Sequence, residues 1–109
     1  MKSNIKFIDE KLQQSFESLK DSRTEDRNLY KWIYRALEDI ENDAYCGIQI
    51  KKRLFPKKYV QEYFIKNLWK YDLPNGWRLM YTIGDNKINI LSIILEWMTH
   101  KEYDRRFGY

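Results

Sequence analysis

The stretch from Asn67 to Gly84, N-L-W-K-Y-D-L-P-N-G-W-R-L-M-Y-T-I-G, constrains this chain more than any other, because two alternating runs are joined by Pro74-Asn75-Gly76. Trp69, Tyr71 and Leu73 share one face of the first run, and Trp77, Leu79, Tyr81 and Ile83 share one face of the second. This is the period-2 pattern of a half-buried strand. Lys70, Asp72, Arg78, Met80 and Thr82 occupy the other face. The pattern predicts a β-hairpin. A two-residue turn at Asn75-Gly76 would set Leu73 against Arg78 and lay an aromatic face beside a charged one, which register disfavours. A three-residue loop pairs Leu73 with Trp77 and Asp72 with Arg78, leaving Lys70 two residues away on the same face. Pro74 then suits the first central position of a type I turn, and Gly76 the left-handed position of the bulge.

The remaining elements follow from shorter signals. Ile5 to Ile8 is a short apolar run suited to a strand. Asp9 can cap a helix that carries Leu12, Phe16 and Leu19 through Lys20. Ser22 and Glu25 have capping-box spacing, ahead of a helix whose stripe is Leu29, Ile33, Ala36, Leu37 and Ile40, running to about Asp43, with Gly47 as its stop. Pro56 breaks the basic segment 48–63 into a short element and one helical turn. Lys87 to Met98 is apolar on both parities, as a strand covered on both faces would be, after a turn at Gly84-Asp85-Asn86. Thr99 and Glu102 form a second capping box that opens a short terminal helix. Residues 1–109 thus read as one α+β domain, with two N-terminal helices packed on one face of a small, mostly antiparallel sheet and a short C-terminal helix.

Charge is unevenly spread. Residues 21–50 carry 4 basic and 7 acidic side chains, whereas residues 51–80 carry 8 basic and 2 acidic. With a net charge of +4, a polyanion is a natural partner, and Lys51, Lys52, Lys57, Lys58 and Lys101 are the candidates for phosphate contacts, the alternative being a solvated surface. A lone Cys46 excludes an intrachain disulfide, and a lone His100 excludes a Cys/His zinc cluster; Cys46 reads as inert. No metal or other cofactor is expected. Met1 to Lys6 lacks the apolar core of a signal peptide and no apolar run is long enough for a membrane span, so a cytoplasmic setting fits.

On a helix starting after Thr99, His100 and Tyr103 share a face. If that helix folds back over the sheet, they approach Lys70, Asp72 and Arg78. Such a group could cleave RNA without metal. A base takes the ribose 2′-OH proton, a guanidinium holds the phosphate, and an acid protonates the leaving 5′-oxygen. Each residue also has a plainer reading: His100 as a solvated helix-start residue, Arg78 as the ion-pair partner of Asp72, and Tyr103 as a packing residue.

With that element order, L-W-K-Y-D-L, G-W-R-L-M-Y-T-I and the terminal T-H-K-E-Y-D, the chain resembles the RelE/ParE superfamily of type II toxin-antitoxin toxins. W-R-L-M-Y is similar to the Y-R-L-x-Y strand common there, and T-H-K-E-Y-D to the T-H-x-E-Y-D ending of HigB-like members. The resemblance implies an mRNA endoribonuclease, usually acting in the ribosomal A site without metal, and an antitoxin protein as partner. It gives Arg78 the phosphate-stabilising position, Lys70 that of a basic residue on the preceding strand, and His100 with Tyr103 the C-terminal catalytic positions. Asp72 departs from the pattern, since RelE-like members tend to have a second lysine there. The ParE branch, which acts on DNA gyrase, shares the fold, so a gyrase-directed toxin, or a degenerate one that only binds its antitoxin, is the alternative. A basic RNA-binding domain without cleavage is a third reading.

Overall fold

The structure, a computed structural model, describes residues 1–85 and 88–108. Its elements are β1 (Asn4–Phe7), α1 (Glu10–Leu19), α2 (Thr24–Asn42), β2 (Ile48–Gln49), α3 (Lys57–Tyr63), β3 (Trp69–Asp72), β4 (Arg78–Asp85), β5 (Ile90–Met98) and α4 (His100–Phe107), with a 3₁₀ turn at Lys52–Leu54. The strands form one mixed open sheet in the order β1-β5-β4-β3-β2, in which β1 runs parallel to β5 and every other pair is antiparallel. The class is α+β.

The hairpin has the register that its faces demand. Asp72 lies opposite Arg78, Lys70 opposite Met80 and Trp69 opposite Tyr81, and the Leu73 N–H donates to the Trp77 carbonyl at 2.8 Å. The turn itself differs from type I. Asn75 sits at φ +58° and Gly76 at φ +78°, so both residues after Pro74 are left-handed. Asparagine is among the few residues other than glycine that tolerate this region, which is why the loop can twist there.

Sidedness then decides the packing. Leu73, Leu79, Tyr81 and Ile94 bury themselves against Phe16 of α1 and Leu29, Ile33, Ala36 and Ile40 of α2. Trp69, Tyr71 and Trp77 pack around the margin of this core, as the aromatic face predicts. Ile33 and Ile40 are fully shut off from water, and each such side chain contributes roughly 2 kcal/mol by burial. The Tyr71 hydroxyl donates to Asp39 on α2, and burial, followed by that bond, pushes Tyr71 up to about 12.

Asp9 caps α1 as expected, its Oδ1 accepting from the Leu12 N–H at 2.8 Å. The capping box at Ser22 does not form. The link between the helices is so short that the Ser22 hydroxyl donates back to the Ser18 carbonyl at 3.0 Å, and α2 starts from Arg23 without a side-chain cap. Gly47 is not the helix stop, because α2 ends at Asn42. What Gly47 provides is close approach: a Cβ there would lie 2.6 Å from both the Lys70 carbonyl oxygen and the Tyr81 hydroxyl.

Helices cover both faces of the sheet, not one. Tyr59 of α3 and Tyr103 and Phe107 of α4 pack on Met80, Leu95 and Met98 of the second face. The two-parity apolar pattern of β5 is the cause, since it supplies both cores. A bulge adjusts the count. Met80 pairs with Glu96 and Tyr81 with Ile94, so Leu95 is an extra residue. Leu95 and Glu96 therefore both belong to the second face, with Ile94 and Trp97 on the first. There Glu96 accepts from the Tyr59 hydroxyl at 2.6 Å, pairs with Lys58 at 3.5 Å and binds Arg106, tying α3 and α4 to β5. Gly84 and Asp85 extend β4 and pair with Leu91 and Ile90. The rest of the expected turn and the expected start of β5, Asn86 and Lys87, lie outside the described residues.

Gly47→Ala is expected to lower stability by about 2 kcal/mol, because one of its two clashes is with backbone that cannot swing aside. Glu96→Ala should cost about 3 kcal/mol by leaving Arg106 and Tyr59 without their acceptor. Urea denaturation of the two variants measures both.

Candidate functional site

Hairpin parity sends Lys70, Asp72 and Arg78 to the second face, at the end of the sheet nearest the turn. There they form one cluster. A single oxygen, Asp72 Oδ1, lies 3.3 Å from Lys70 Nζ and 3.1 Å from Arg78 Nε. The two cations are well shielded, with side chains 18% and 23% exposed, whereas the carboxylate is 47% exposed. Arg78 Nε is closed to water, yet its N–H has no aligned acceptor, so its contact with Asp72 is an ion pair without a hydrogen bond. Arg78 Nη1 donates to the Trp77 carbonyl at 3.3 Å.

Beneath the cations lies the ring of Tyr103, with Lys70 Nζ 5.3 Å and Arg78 Cζ 5.6 Å from its centroid. Cation–π attraction of this kind contributes roughly 0.5 to 2 kcal/mol. Tyr103 is buried and packs on Phe107 at 4.3 Å between centroids, so it is the floor of the cluster as well as part of the second core. The terminal capping box carries it there: Thr99 Oγ1 accepts from the Glu102 N–H at 3.3 Å while Glu102 Oε1 accepts from the Thr99 N–H at 3.1 Å. Arg106, bound to Glu96, holds the far end of α4.

The cluster opens into a hollow of about 630 Å³ whose lining includes Lys51, Arg53, Lys70, Arg78, Tyr103 and Asp104. Ile48, an exposed apolar side chain, forms part of its wall. Chemically this is a shielded pair of cations in a solvent-open depression also lined by two further basic groups, Lys51 and Arg53, and one acidic group, Asp104, a net positive arrangement suited to a phosphate or another oxyanion.

The residues singled out in the sequence divide between this hollow and its surroundings. Lys51, Lys70, Arg78 and Tyr103 line it together. His100 does not line it. Its exposed imidazole lies against the hairpin turn, where a Cβ added at Gly76 would come within 3.0 Å of Nδ1. Histidine and cations thus share one end of the molecule, His100 beside the turn that ends two residues before Arg78. Lys52 in the 3₁₀ turn, Lys57 at the start of α3 and Lys101 on α4 are exposed and outside the lining, and Lys58 is engaged with Glu96. Arg53, Asp104 and Ile48 are lining residues that sequence reasoning did not single out. Arg53 belongs to the basic run, but the turn that aims the run into the hollow has no signature of its own. Cys46 is exposed, and partial desolvation by its neighbours raises its thiol above the ordinary range. Among the described residues no cluster of three or more His, Cys, Asp or Glu side chains could hold a metal ion, and no helix is long and apolar enough to cross a membrane.

Comparison with known protein families, with curated proteins and with solved structures finds no match.

Tyr103→Leu, which keeps apolar bulk but removes the ring face under both cations, is expected to lower stability by about 2 kcal/mol. Tyr103→Phe should cost under about 1 kcal/mol. Thermal or urea unfolding of the pair separates the ring from the hydroxyl.

Proposed function

We propose that this protein is a metal-independent mRNA endoribonuclease of the RelE/ParE toxin type, acting on RNA at the ribosome or free and held in check by an antitoxin protein. One observation carries the reading: Arg78 and Lys70 stand side by side on the Tyr103 ring in an open basic hollow, with His100 one turn away on the same helix as Tyr103. In this reading the scissile phosphate sits on Arg78, with Lys70 and Lys51 orienting the strand. Removal of the ribose 2′-OH proton lets that oxygen attack phosphorus, and the P–O bond to the leaving 5′-oxygen breaks as that oxygen gains a proton. The products are a 2′,3′-cyclic phosphate and a 5′-hydroxyl. His100 is the proton-transfer group, brought in from the turn by the approach of RNA, and Tyr103 fixes the cations.

The α+β layout also supports a RelE-like arrangement, with α1 and α2 on one face of the sheet and a capped terminal helix beside the strand arginine. A second reading draws on a different fact. Asp72 already engages both cations and His100 stands outside the hollow, which favours a gyrase-directed toxin or a degenerate one that only binds its antitoxin.

Arg78→Ala and His100→Ala should each lower RNA cleavage by roughly 10²-fold or more, measured with purified protein on RNA alone and on translating ribosomes. If the wild-type protein cuts neither but inhibits gyrase supercoiling, the second reading stands in its place.

A further inference from the structure

Asp72 is the one charged group of the cluster with no part in the chemistry above, and its geometry is specific. One of its oxygens touches both cations, at 3.3 Å from Lys70 Nζ and 3.1 Å from Arg78 Nε. Lys70 and Arg78 both rest on the Tyr103 ring, so neither can swing toward a ligand without leaving that seat. Asp72 is not among the residues that line the hollow, so it meets the two cations from beside it, and a phosphate in the hollow competes with that carboxylate for their charge. The carboxylate is free to give them up. Asp72 is the last residue of β3, and its side chain is about half exposed, unlike the cations it contacts.

We propose that Asp72 is a built-in competitor for phosphate: it compensates Lys70 and Arg78 from beside the hollow, and holds the affinity of the hollow for RNA down until the strand outcompetes it for the two cations. The proposal rests on the reading that the ligand is RNA, but it concerns binding and not cleavage. Electrostatically, the pair Lys70 and Arg78 meets a nucleic acid with one of its two charges already compensated. Loose, non-selective binding of RNA is thereby suppressed, and ligands that present several phosphates at once, to Arg53 and Lys51 as well as to Lys70 and Arg78, are favoured.

The test measures binding of the full chain to a short single-stranded 2′-O-methyl RNA, which cannot be cleaved by 2′-OH attack, by fluorescence anisotropy over a range of salt concentrations. Asp72→Asn removes the charge and keeps the shape. It is expected to bind about tenfold more tightly than wild type, with a steeper salt dependence, and the gain should vanish when Arg78→Ala is added. Unchanged or weaker binding by an Asp72→Asn variant with wild-type circular dichroism overturns the proposal. A gain that survives Arg78→Ala also overturns it, since it would reflect net charge alone. Cleavage lost in Asp72→Asn with affinity unchanged overturns it too, and assigns the carboxylate to proton transfer. Tightening without cleavage by any variant sustains the proposal while removing the nuclease reading, and cleavage by wild type without tightening does the reverse.

Discussion

An odd loop length governs this molecule. Because Pro74-Asn75-Gly76 holds three residues and not two, Leu73 meets Trp77, and every aromatic of β3 and β4 falls on the side that α1 and α2 cover. A slip of one residue would turn either Lys70 or Arg78 into the helix-hairpin core, where unpaired charge is prohibitively costly. The same count gathers Lys70, Asp72 and Arg78 on the opposite side. Packing and site are therefore two consequences of a single register.

Much of this was legible in the chain because it is local. Period-2 alternation and the loop count are enough for the hairpin register, the 3.6-residue stripe is enough for α2, and T-x-x-E is enough for the cap of α4. The failures are of another kind. The Ser22 box depended on where α1 would end, which is set by tertiary packing of Phe16 and Leu19 and not by the four residues of the motif. Both-face coverage of the sheet was implicit in β5, but nothing in α3 or α4 read singly says which face they take. The bulge at Leu95, and with it the meeting of Tyr59, Lys58 and Arg106 on Glu96, requires a register that periodicity does not define. The site was half visible. Lys70, Arg78 and Tyr103 assemble as their spacing suggests, whereas His100 faces the turn, and the hollow recruits Arg53 through a 3₁₀ turn, and Asp104 through α4, that only three-dimensional closure brings together.

The cluster itself is a balance of opposed terms. Two shielded cations at one end of a sheet would repel, and two features relieve this: the quadrupole of one ring beneath them and one carboxylate oxygen between them. The ring is buried and permanent. The carboxylate is about half exposed and lies outside the lining of the hollow, so the cations that line it are compensated from the side. That asymmetry makes the depression receptive to an anion without leaving bare charge on the resting protein.

The groups of the candidate site are also mounted on unequal supports. Lys70, Asp72 and Arg78 ride on hydrogen-bonded strands inside the sheet, while His100 is the first residue of an eight-residue terminal helix. That helix is held by its cap, by Tyr103 and Phe107, and by Arg106 on Glu96. The strand groups are thus fixed by the ladder itself, whereas the place of the imidazole beside the hairpin turn is inherited from the docking of the helix whose Tyr103 floors the cluster.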